Sequence, residues 1–173
     1  MTSITIFDAE ADGLLDTASK VWCICSTDYN NPCMSVSKMD SFGPRSIQKG
    51  LDHLSNSDVI VGHNIIEYDL RLFKMLWDWE PSDDQLIVDT LVYSRMLYPK
   101  RPKPSGYEGK STHSIEAWGH RVGMAKPEHE DWSQYSPEML VRCKRDVMIN
   151  YLLLKELEEE TDEESFFYQT WNQ

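Results

Sequence analysis

The stretch Ile4-Thr5-Ile6-Phe7-Asp8-Ala9-Glu10 decides the fold, because an apolar segment ends there in two carboxylates. The apolar side chains in its first half are typical of a buried β-strand. Side chains two residues apart on a strand project from the same face, so Asp8 and Glu10 are expected to lie side by side. Hard divalent cations such as Mg²⁺ or Mn²⁺ prefer such oxygen ligands. A strand that runs into an acidic surface turn has the same pattern, so other carboxylates must join the pair to predict a metal site.

The composition is that of an ordinary globular domain. Of the 173 residues, 40% are hydrophobic and 27% are charged, which fits one domain with a sizeable core. We expect this domain over residues 1–160 and an acidic, aromatic tail over residues 161–173. No apolar run reaches the length of about 18 residues that indicates a membrane span, and the N-terminus has no signal-peptide pattern. We therefore expect no membrane partner.

The cysteines indicate a reducing compartment. Cys23, Cys25, Cys33 and Cys143 show none of the CxxC spacings that are typical of metal sites. The pattern predicts reduced, structural thiols and a cytoplasmic location.

The net charge of −12 argues against broad electrostatic attraction to nucleic acid. However, part of this charge is concentrated in the acidic segment at residues 156–164, and other carboxylates are candidate metal ligands. An acidic protein can hold phosphate groups through metal ions, so the charge alone does not exclude a nucleic-acid enzyme.

The pattern of apolar runs predicts a mixed α/β fold. Residues 21–25 and 33–36 indicate two further strands, separated by a turn-like segment at residues 28–32, so the first three strands are expected to form an antiparallel meander. The all-apolar run at residues 59–62 is typical of a strand that is covered on both faces, and residues 86–88 indicate another short strand.

Helical spacing predicts five helices around these strands. They are expected near Ile47, after residue 69, after residue 90, over residues 113–122, and from Ser136 onward, where Ser136 and Pro137 have the pattern of an N-cap and a first-turn proline. The predicted order is β-β-β-α-β-α-β-α-α-α, which implies one mixed five-stranded sheet flanked by helices.

Two more aspartates have positions that suit a site. Asp69 falls in the first turn of a helix that follows the covered strand, where α/β proteins place ligand groups, although the helix dipole alone also favours a carboxylate there. Asp146 lies in the middle of the last helix, where Asp is a poor helix former. A salt bridge to Arg142, one turn earlier, is the simpler explanation for Asp146.

Together these segments resemble the Asp-Glu-Asp-Asp (DEDD) 3′–5′ exonucleases, which have an RNase H-like fold. The likeness is strongest to the proofreading domain of family A DNA polymerases from short-tailed bacteriophages. It rests on Phe7-Asp8-Ala9-Glu10, on His63-Asn64 with Tyr68-Asp69, and on the segments at residues 88–95 and 113–123. These matches occur in the same order as in the family and extend over nearly the whole chain.

The resemblance implies a two-metal hydrolysis of phosphodiester bonds at single-stranded DNA 3′ ends, with Mg²⁺ or Mn²⁺ as the ions. It implies that Asp8 bridges both ions, that Glu10 and Asp146 complete one site, and that Asp69 acts on the other. RNA is an alternative substrate, because tolerance of ribose is not visible in the sequence.

The resemblance also implies contacts to the substrate strand. Leu14 is expected to wedge against the 3′-terminal base, and Asn64 and Tyr68 are expected to line the strand. A plain core position for Leu14 and a simple turn position for Asn64 are the alternatives.

The sequence departs from the family next to Asp146. One branch of the family has a Tyr four residues before the last Asp, where this chain has Arg142, and the other has a His five residues before it, where this chain has Val141. Arginine stays protonated and cannot accept the proton of the attacking water, so Arg142 is expected to contact phosphate or to pair with a carboxylate. His113 is a candidate substitute, although packing also explains a histidine there. We therefore expect an active but slow nuclease, or else a weakened, binding-only subunit.

A basic loop at residues 100–110 contrasts with the acidic chain. Its positive charges Lys100, Arg101, Lys103 and Lys110 and its aromatic Tyr107 predict a contact to single-stranded DNA by charge and base stacking. A solvated connector is the alternative. In the resembled polymerases the exonuclease is fused to a polymerase region, so a DNA polymerase is an expected partner, fused or in trans. The aromatic tail is a candidate docking segment, and folding back on the domain is the alternative. If the chain is phage-encoded, its compartment is the host cytoplasm.

Overall fold

The computed structural model describes residues 2–125, 127 and 129–161. The strands and helices follow one another along the chain in the predicted order. Their bounds are β1 (Ile4–Ala11), β2 (Val21–Asp28), β3 (Asp40–Phe42), α1 (Ile47–Ser55), β4 (Val59–Gly62), α2 (Asp69–Trp77), β5 (Leu86–Asp89), α3 (Thr90–Leu97), α4 (Ile115–Arg121) and α5 (Pro137–Glu160).

The strands form one mixed five-stranded sheet in the order β3-β2-β1-β4-β5. The pairs β1–β2 and β2–β3 are antiparallel, whereas β1–β4 and β4–β5 are parallel. The prediction of a three-strand meander joined to parallel strands is therefore confirmed. β1 lies in the centre of the sheet, so the two carboxylates at its end stand between the antiparallel and the parallel half.

The predicted position of the third strand is wrong. Residues 33–36 were expected to pair directly after a tight turn, but the pairing strand is β3, which begins at Asp40. The backbone N–H of Cys33 donates instead to Thr27 Oγ1 at 2.7 Å. The carbonyl of Ser35 accepts the N–H groups of Lys38 and Met39, which closes a turn where a strand was expected. At residues 33–36, local hydrogen bonds to a side chain and within a turn thus replace the hydrogen bonds of a β-strand pair.

Helices cover both faces of the sheet. On one face, α5 packs against β1, β2 and β4 through a core that includes Ile6, Val61 and Val147. On the other face, α1 and α2 pack against Phe7 and Ile60. The odd and even residues of β1 are therefore both buried, and its even residues face α5.

The long helix α5 begins as the sequence predicts. The Ser136 hydroxyl accepts the N–H of Met139 as an N-cap, and Pro137 is the first helical residue. α4 begins at Ile115, two residues later than expected, because the Ser114 hydroxyl caps it by accepting the N–H of Ala117. Gly123 follows α4 with a φ of 69°, a left-handed conformation that favours glycine.

The predicted tail falls almost entirely outside the described residues, which end at Thr161. Within the described part of the chain, every helix is too short or too polar to cross a lipid bilayer.

Candidate active site

Three of the four predicted carboxylates meet at the end of β1. Asp8 and Glu10 project from β1 and Asp146 projects from α5, and one oxygen of each carboxylate lies within 4.8 Å of the others. Glu10 and Asp146 are buried and Asp8 is half-buried. The strand period explains the first pair. The burial of Asp146 explains why a poor helix former occupies the middle of α5: its side chain faces the sheet.

Asp69 is the first residue of α2 and lies outside that three-carboxylate group among the described residues. It is buried, and its Oδ1 makes no hydrogen bond to the described residues. Burial raises the pKa of the Asp69 carboxyl to about 8, and the negative charge of Asp89 contributes to the increase. A buried carboxylate without a partner for one oxygen is costly.

The donor set fits hard divalent cations. Three buried or half-buried carboxylates within 4.8 Å repel one another unless positive charge lies between them. The Oδ1 of Asp69 adds a further oxygen donor at the start of α2, the helix that follows β4, and β4 runs parallel to β1. Oxygen ligands of this kind suit Mg²⁺ and Mn²⁺.

Arg142 reaches this group from one turn earlier on α5. Its Nε lies 3.4 Å from Glu10 Oε1. Its Nη1 donates to the carbonyl oxygen of Pro127 at 2.7 Å, and its guanidinium lies 5.2 Å from the ring centre of Trp132. The sequence left two alternatives for Arg142, a contact to phosphate or an ion pair with a carboxylate. The structure shows the ion pair, and its partner is Glu10. Val141 is exposed.

A cleft of about 370 Å³ opens beside Glu10. Leu14, Tyr68 and Trp132 form its apolar walls. Leu14 is 75% exposed, so the core alternative for this residue is wrong. The Tyr68 hydroxyl donates to the carbonyl oxygen of Gly13 and thereby fixes the turn that carries Leu14. Burial, together with the nearby carboxylates, raises the pKa of Tyr68 to about 12, so this donor stays protonated.

Sequence reasoning missed Trp132. It lies in a polar segment before α5, and no local periodicity marks it. The indole N–H of Trp22 on β2 donates to the Trp132 carbonyl oxygen at 3.0 Å, which anchors the segment to the sheet. The separation of 110 residues between these partners explains why the sequence pattern did not reveal the contact.

Asp89 is a second missed residue. Its carboxylate accepts the backbone N–H groups of Asn64, Ile66 and Leu91 at 2.9, 3.1 and 2.9 Å. It therefore caps α3 and also holds the turn between β4 and Asp69. Asn64 has a φ of 65°, so it occupies the turn position that the sequence left as one alternative. An aspartate directly before a helix is an N-cap signal, and this signal was available in the sequence.

The basic loop differs from its predicted form at two of its five named residues. Arg101 is only 7% exposed, and its two Nη atoms donate to Glu160 at 2.7 and 2.6 Å. Tyr107 is only 5% exposed, and its hydroxyl contacts the Ser111 carbonyl and the Ser114 hydroxyl at 3.0 Å each. The expectation that Arg101 and Tyr107 present charge and a stacking ring to DNA is thus corrected, because both are held inside the protein.

The three lysines of this loop remain available. Lys100, Lys103 and Lys110 are all exposed. His113, in contrast, is buried, and its Nδ1 lies 2.8 Å from the hydroxyl of Ser94. Burial lowers the pKa of His113. These contacts agree with the packing alternative for His113.

Comparison with known proteins gives sequence relatives over most of the chain. No protein-family profile matches. The DNA-directed DNA polymerase of Escherichia phage T7 is 27% identical over an aligned length of 190 positions. The alignment covers 88% of this chain and 26% of the polymerase. The polymerase of Enterobacteria phage T3 is 26% identical, and the alignment again covers 88% of this chain and 26% of the polymerase. The chain thus spans about a quarter of the length of these relatives.

Solved structures share the fold. Brucella melitensis NrnC bound to pGG has a TM-score of 0.64 at 13% identity, covering 94% of this chain and 74% of NrnC. NrnC with bound Mg²⁺ has a TM-score of 0.62 at 14% identity, covering 94% and 75%. E. coli Exonuclease I in complex with a dT13 oligonucleotide has a TM-score of 0.61 at 12% identity, covering 94% and 42%. The polymerase relatives and the RNase H-like fold shared with these structures confirm the resemblance of this chain to the Asp-Glu-Asp-Asp exonucleases.

Proposed function

We propose that this chain is a metal-dependent 3′–5′ exonuclease that removes nucleotides from single-stranded DNA 3′ ends, and that it proofreads in DNA replication. The observation that carries the proposal is the group of Asp8, Glu10 and Asp146 at the edge of a cleft with apolar walls. The likeness to phage DNA polymerases supports the replication context.

The carboxylates have distinct roles in this proposal. Asp8, Glu10 and Asp146 would together hold the divalent ions, with Asp8 shared between the two ions and Glu10 and Asp146 serving one of them. Asp69 would serve the other ion. When bound, Mg²⁺ or Mn²⁺ lowers the pKa of a water and neutralises charge on the phosphate and on the leaving oxygen. The protein contributes by holding these carboxylates on β1, α2 and α5, so that the site is organised before the substrate arrives.

The cleft gives the terminal nucleotide a place to bind. Leu14 wedges against the 3′-terminal base, Tyr68 holds the turn beneath Leu14, and Asn64 lies on the turn beside the strand. The exposed lysines Lys100, Lys103 and Lys110 supply positive charge for the phosphates further from the end.

The rate is expected to be low for this class of enzyme. The chain has neither the Tyr nor the His that the resembled enzymes place before the last Asp. Losing a positioned general base typically costs about 10²–10⁴-fold. Arg142 occupies the Tyr position and pairs with Glu10, so it cannot accept a proton from the attacking water.

Digestion of a 5′-labelled single-stranded DNA oligonucleotide with Mg²⁺ or Mn²⁺ tests the proposal. We expect a ladder that shortens from the 3′ end and that is absent in Asp8→Ala. The exposed Asp83→Asn variant is the control for a lost surface charge and should digest normally. Absence of digestion with either metal, in a chain that still binds DNA, contradicts the proposal.

Two alternatives rest on specific observations. NrnC, which shares the fold, is solved with pGG, so short RNA is a candidate substrate, and matched DNA and RNA oligonucleotides distinguish the two activities. The ion pair between Arg142 and Glu10 favours the other alternative, a weakened module that serves as a polymerase subunit. The chain covers about a quarter of the polymerases it resembles, so we also propose that it works beside a DNA polymerase, fused or in trans.

A further inference from the structure

Three cysteines converge behind the carboxylate group. Cys23 and Cys25 lie on β2 opposite Glu10 and Asp8, and they face α5 as those carboxylates do. Cys143 projects from α5 toward the same point. The three Sγ atoms lie within 4.8 Å of one another, and all three side chains are fully buried. The fourth cysteine, Cys33, lies outside this group among the described residues.

The arrangement is organised by the same geometry that builds the carboxylate group. Residues two apart on β2 place two thiols on one face, and a helix that crosses this face supplies the third. Two rigid elements therefore fix three soft donors in a triangle. A thiophilic ion with metal–sulfur distances of about 2.3 Å needs its sulfurs about 4 Å apart. The three Sγ atoms, which lie within 4.8 Å of one another, are near this spacing.

We propose that Cys23, Cys25 and Cys143 form a binding site for one thiophilic d¹⁰ cation of the Zn²⁺ and Cd²⁺ class. Thiolates select such ions, whereas Mg²⁺ and Mn²⁺ favour the neighbouring oxygen ligands. Binding releases the three thiol protons to solvent and leaves one net negative charge on the site. It involves neither an oxidant nor a reductant.

The Asp8 backbone provides a fourth donor. The Cys143 thiol donates to the carbonyl oxygen of Asp8 at 3.3 Å. Once the thiol proton leaves, this carbonyl oxygen faces a thiolate, and a cation between them restores a favourable contact. Zinc sites with four donors are the common arrangement. The proposed ion would then touch the backbone of a residue whose carboxylate belongs to the candidate active site.

A second feature balances the charge. Lys144 follows Cys143 on α5, is buried, and donates its ammonium to the carbonyl oxygen of Val36 at 2.8 Å. A fixed positive charge beside a trithiolate site lowers the cost of its net negative charge in a low-dielectric interior. The proposal is independent of nuclease activity, because its test measures binding alone.

Titration with Cd²⁺, followed by the ultraviolet charge-transfer absorption of cadmium thiolates, tests the site in the full chain. The experiment is run with excess Mg²⁺, which occupies oxygen sites, and each point is allowed to equilibrate because the thiols are buried. We expect an absorption that saturates at one Cd²⁺ per chain. Cys23→Ser and Cys143→Ser should each lose most of it, and Cys33→Ser should keep all of it.

The opposite results overturn the proposal. The proposal is wrong if the native chain shows no saturating absorption, if Cys143→Ser keeps the full absorption, or if Cys33→Ser loses it. Far-ultraviolet circular dichroism establishes that each variant is folded. If Cys143→Ser does not fold, Cys25→Ser on β2 is used instead and should also lose most of the absorption. The native chain and Cys33→Ser then still show whether Cd²⁺ binds to the buried thiols.

Discussion

Arg142 Nε lies 3.4 Å from Glu10 Oε1, so a permanent cation stands beside a carboxylate that the proposed mechanism needs for a metal ion. The Pro127 carbonyl and the ring of Trp132 hold the guanidinium in place from two other sides. Arg142 therefore stabilises the clustered negative charge without metal. In the proposed function it also occupies the position from which the resembled enzymes orient the attacking water.

Replacing Arg142 with Tyr should raise the rate of nucleotide removal by about 10- to 100-fold, part of the gain that a positioned general base provides. Two causes contribute, because the variant releases Glu10 and supplies a hydroxyl. Arg142→Gln separates them, since it releases Glu10 without supplying a phenol. Single-turnover digestion of labelled DNA measures both variants. A slower Arg142→Tyr enzyme would mean that Arg142 contacts the phosphate of the substrate.

Asp69 should make the metal-free chain less stable as the pH rises. Its folded pKa is raised to about 8, above its ordinary value of 3.8. The contribution of this carboxyl to stability is therefore complete below the ordinary value and is lost as the pH rises toward about 8. In the presence of a chelator, Asp69→Asn should melt at a higher temperature than the native chain at pH 8, with a much smaller difference near pH 4.

The surface variant Asp83→Asn is the control for this pH effect, because it removes a carboxylate that is exposed. It should change the melting temperature little at either pH. If Asp69→Asn is the less stable protein at pH 8, then the ionised carboxylate is a stabilising group in the metal-free fold and the sign of the argument is wrong.

The sequence was sufficient to bring Asp8, Glu10 and Asp146 together, because the position of each follows from a local rule. The period of a strand places Asp8 and Glu10 on one face, and a poor helix former in an apolar stripe marks Asp146. The same kind of rule failed for residues 33–36. Their apolar composition suits a strand, but the bond between Cys33 N–H and Thr27 Oγ1 and the turn at Ser35 prevent pairing.

Contacts between distant segments explain the other differences. Arg101 is basic and lies in a loop, so composition predicts exposure, yet its partner Glu160 is 59 residues away on α5. Trp132 reaches the cleft because β2 anchors its backbone. Neither partner is visible in local spacing, and both depend on how α5 and the segment before it pack against the sheet.

Replacing Asp89 with Ala should destabilise the protein by about 1–2 kcal/mol, the usual effect of losing an N-cap. A further effect should appear at the candidate site, because the same carboxylate holds the N–H groups of Asn64 and Ile66. Hydrogen exchange should therefore increase both at the start of α3 and at residues 64–69. Asp89→Asn keeps one acceptor oxygen and should lose less. Faster exchange in α3 alone would contradict the shared role.

The corrected basic loop makes a sharper prediction about DNA binding. Changing Lys100, Lys103 and Lys110 together to Ala should weaken binding of single-stranded DNA. The salt dependence should flatten by about 0.7 in log–log slope for each phosphate contact that is lost. Fluorescence anisotropy at several salt concentrations measures both effects. An unchanged affinity and slope would leave the loop as a solvated connector.

Arg101→Ala is the matched comparison for the lysines, since it removes a positive charge from the same loop. Its guanidinium is buried against Glu160, so the variant should lower the free energy of unfolding by about 1–3 kcal/mol. The salt slope of DNA binding by the folded protein should change little. A large change in this slope would mean that Arg101 leaves Glu160 when DNA binds.

The cleft predicts that Trp132 binds the terminal base. The Trp132 ring lines the cleft together with the exposed side chain of Leu14, and stacking of a base on an aromatic ring contributes about 1–3 kcal/mol. Trp132→Ala should therefore raise KM by about 5- to 150-fold, while kcat changes less, because stacking holds the ground state and the transition state alike. Trp132→Phe keeps an aromatic face and should recover most of the affinity.

Trp79→Ala removes a tryptophan on the α2 side of the sheet and is the control for the Trp132 variants. A fall in kcat at constant KM would instead assign Trp132 to the support of Arg142, whose guanidinium lies 5.2 Å from its ring centre.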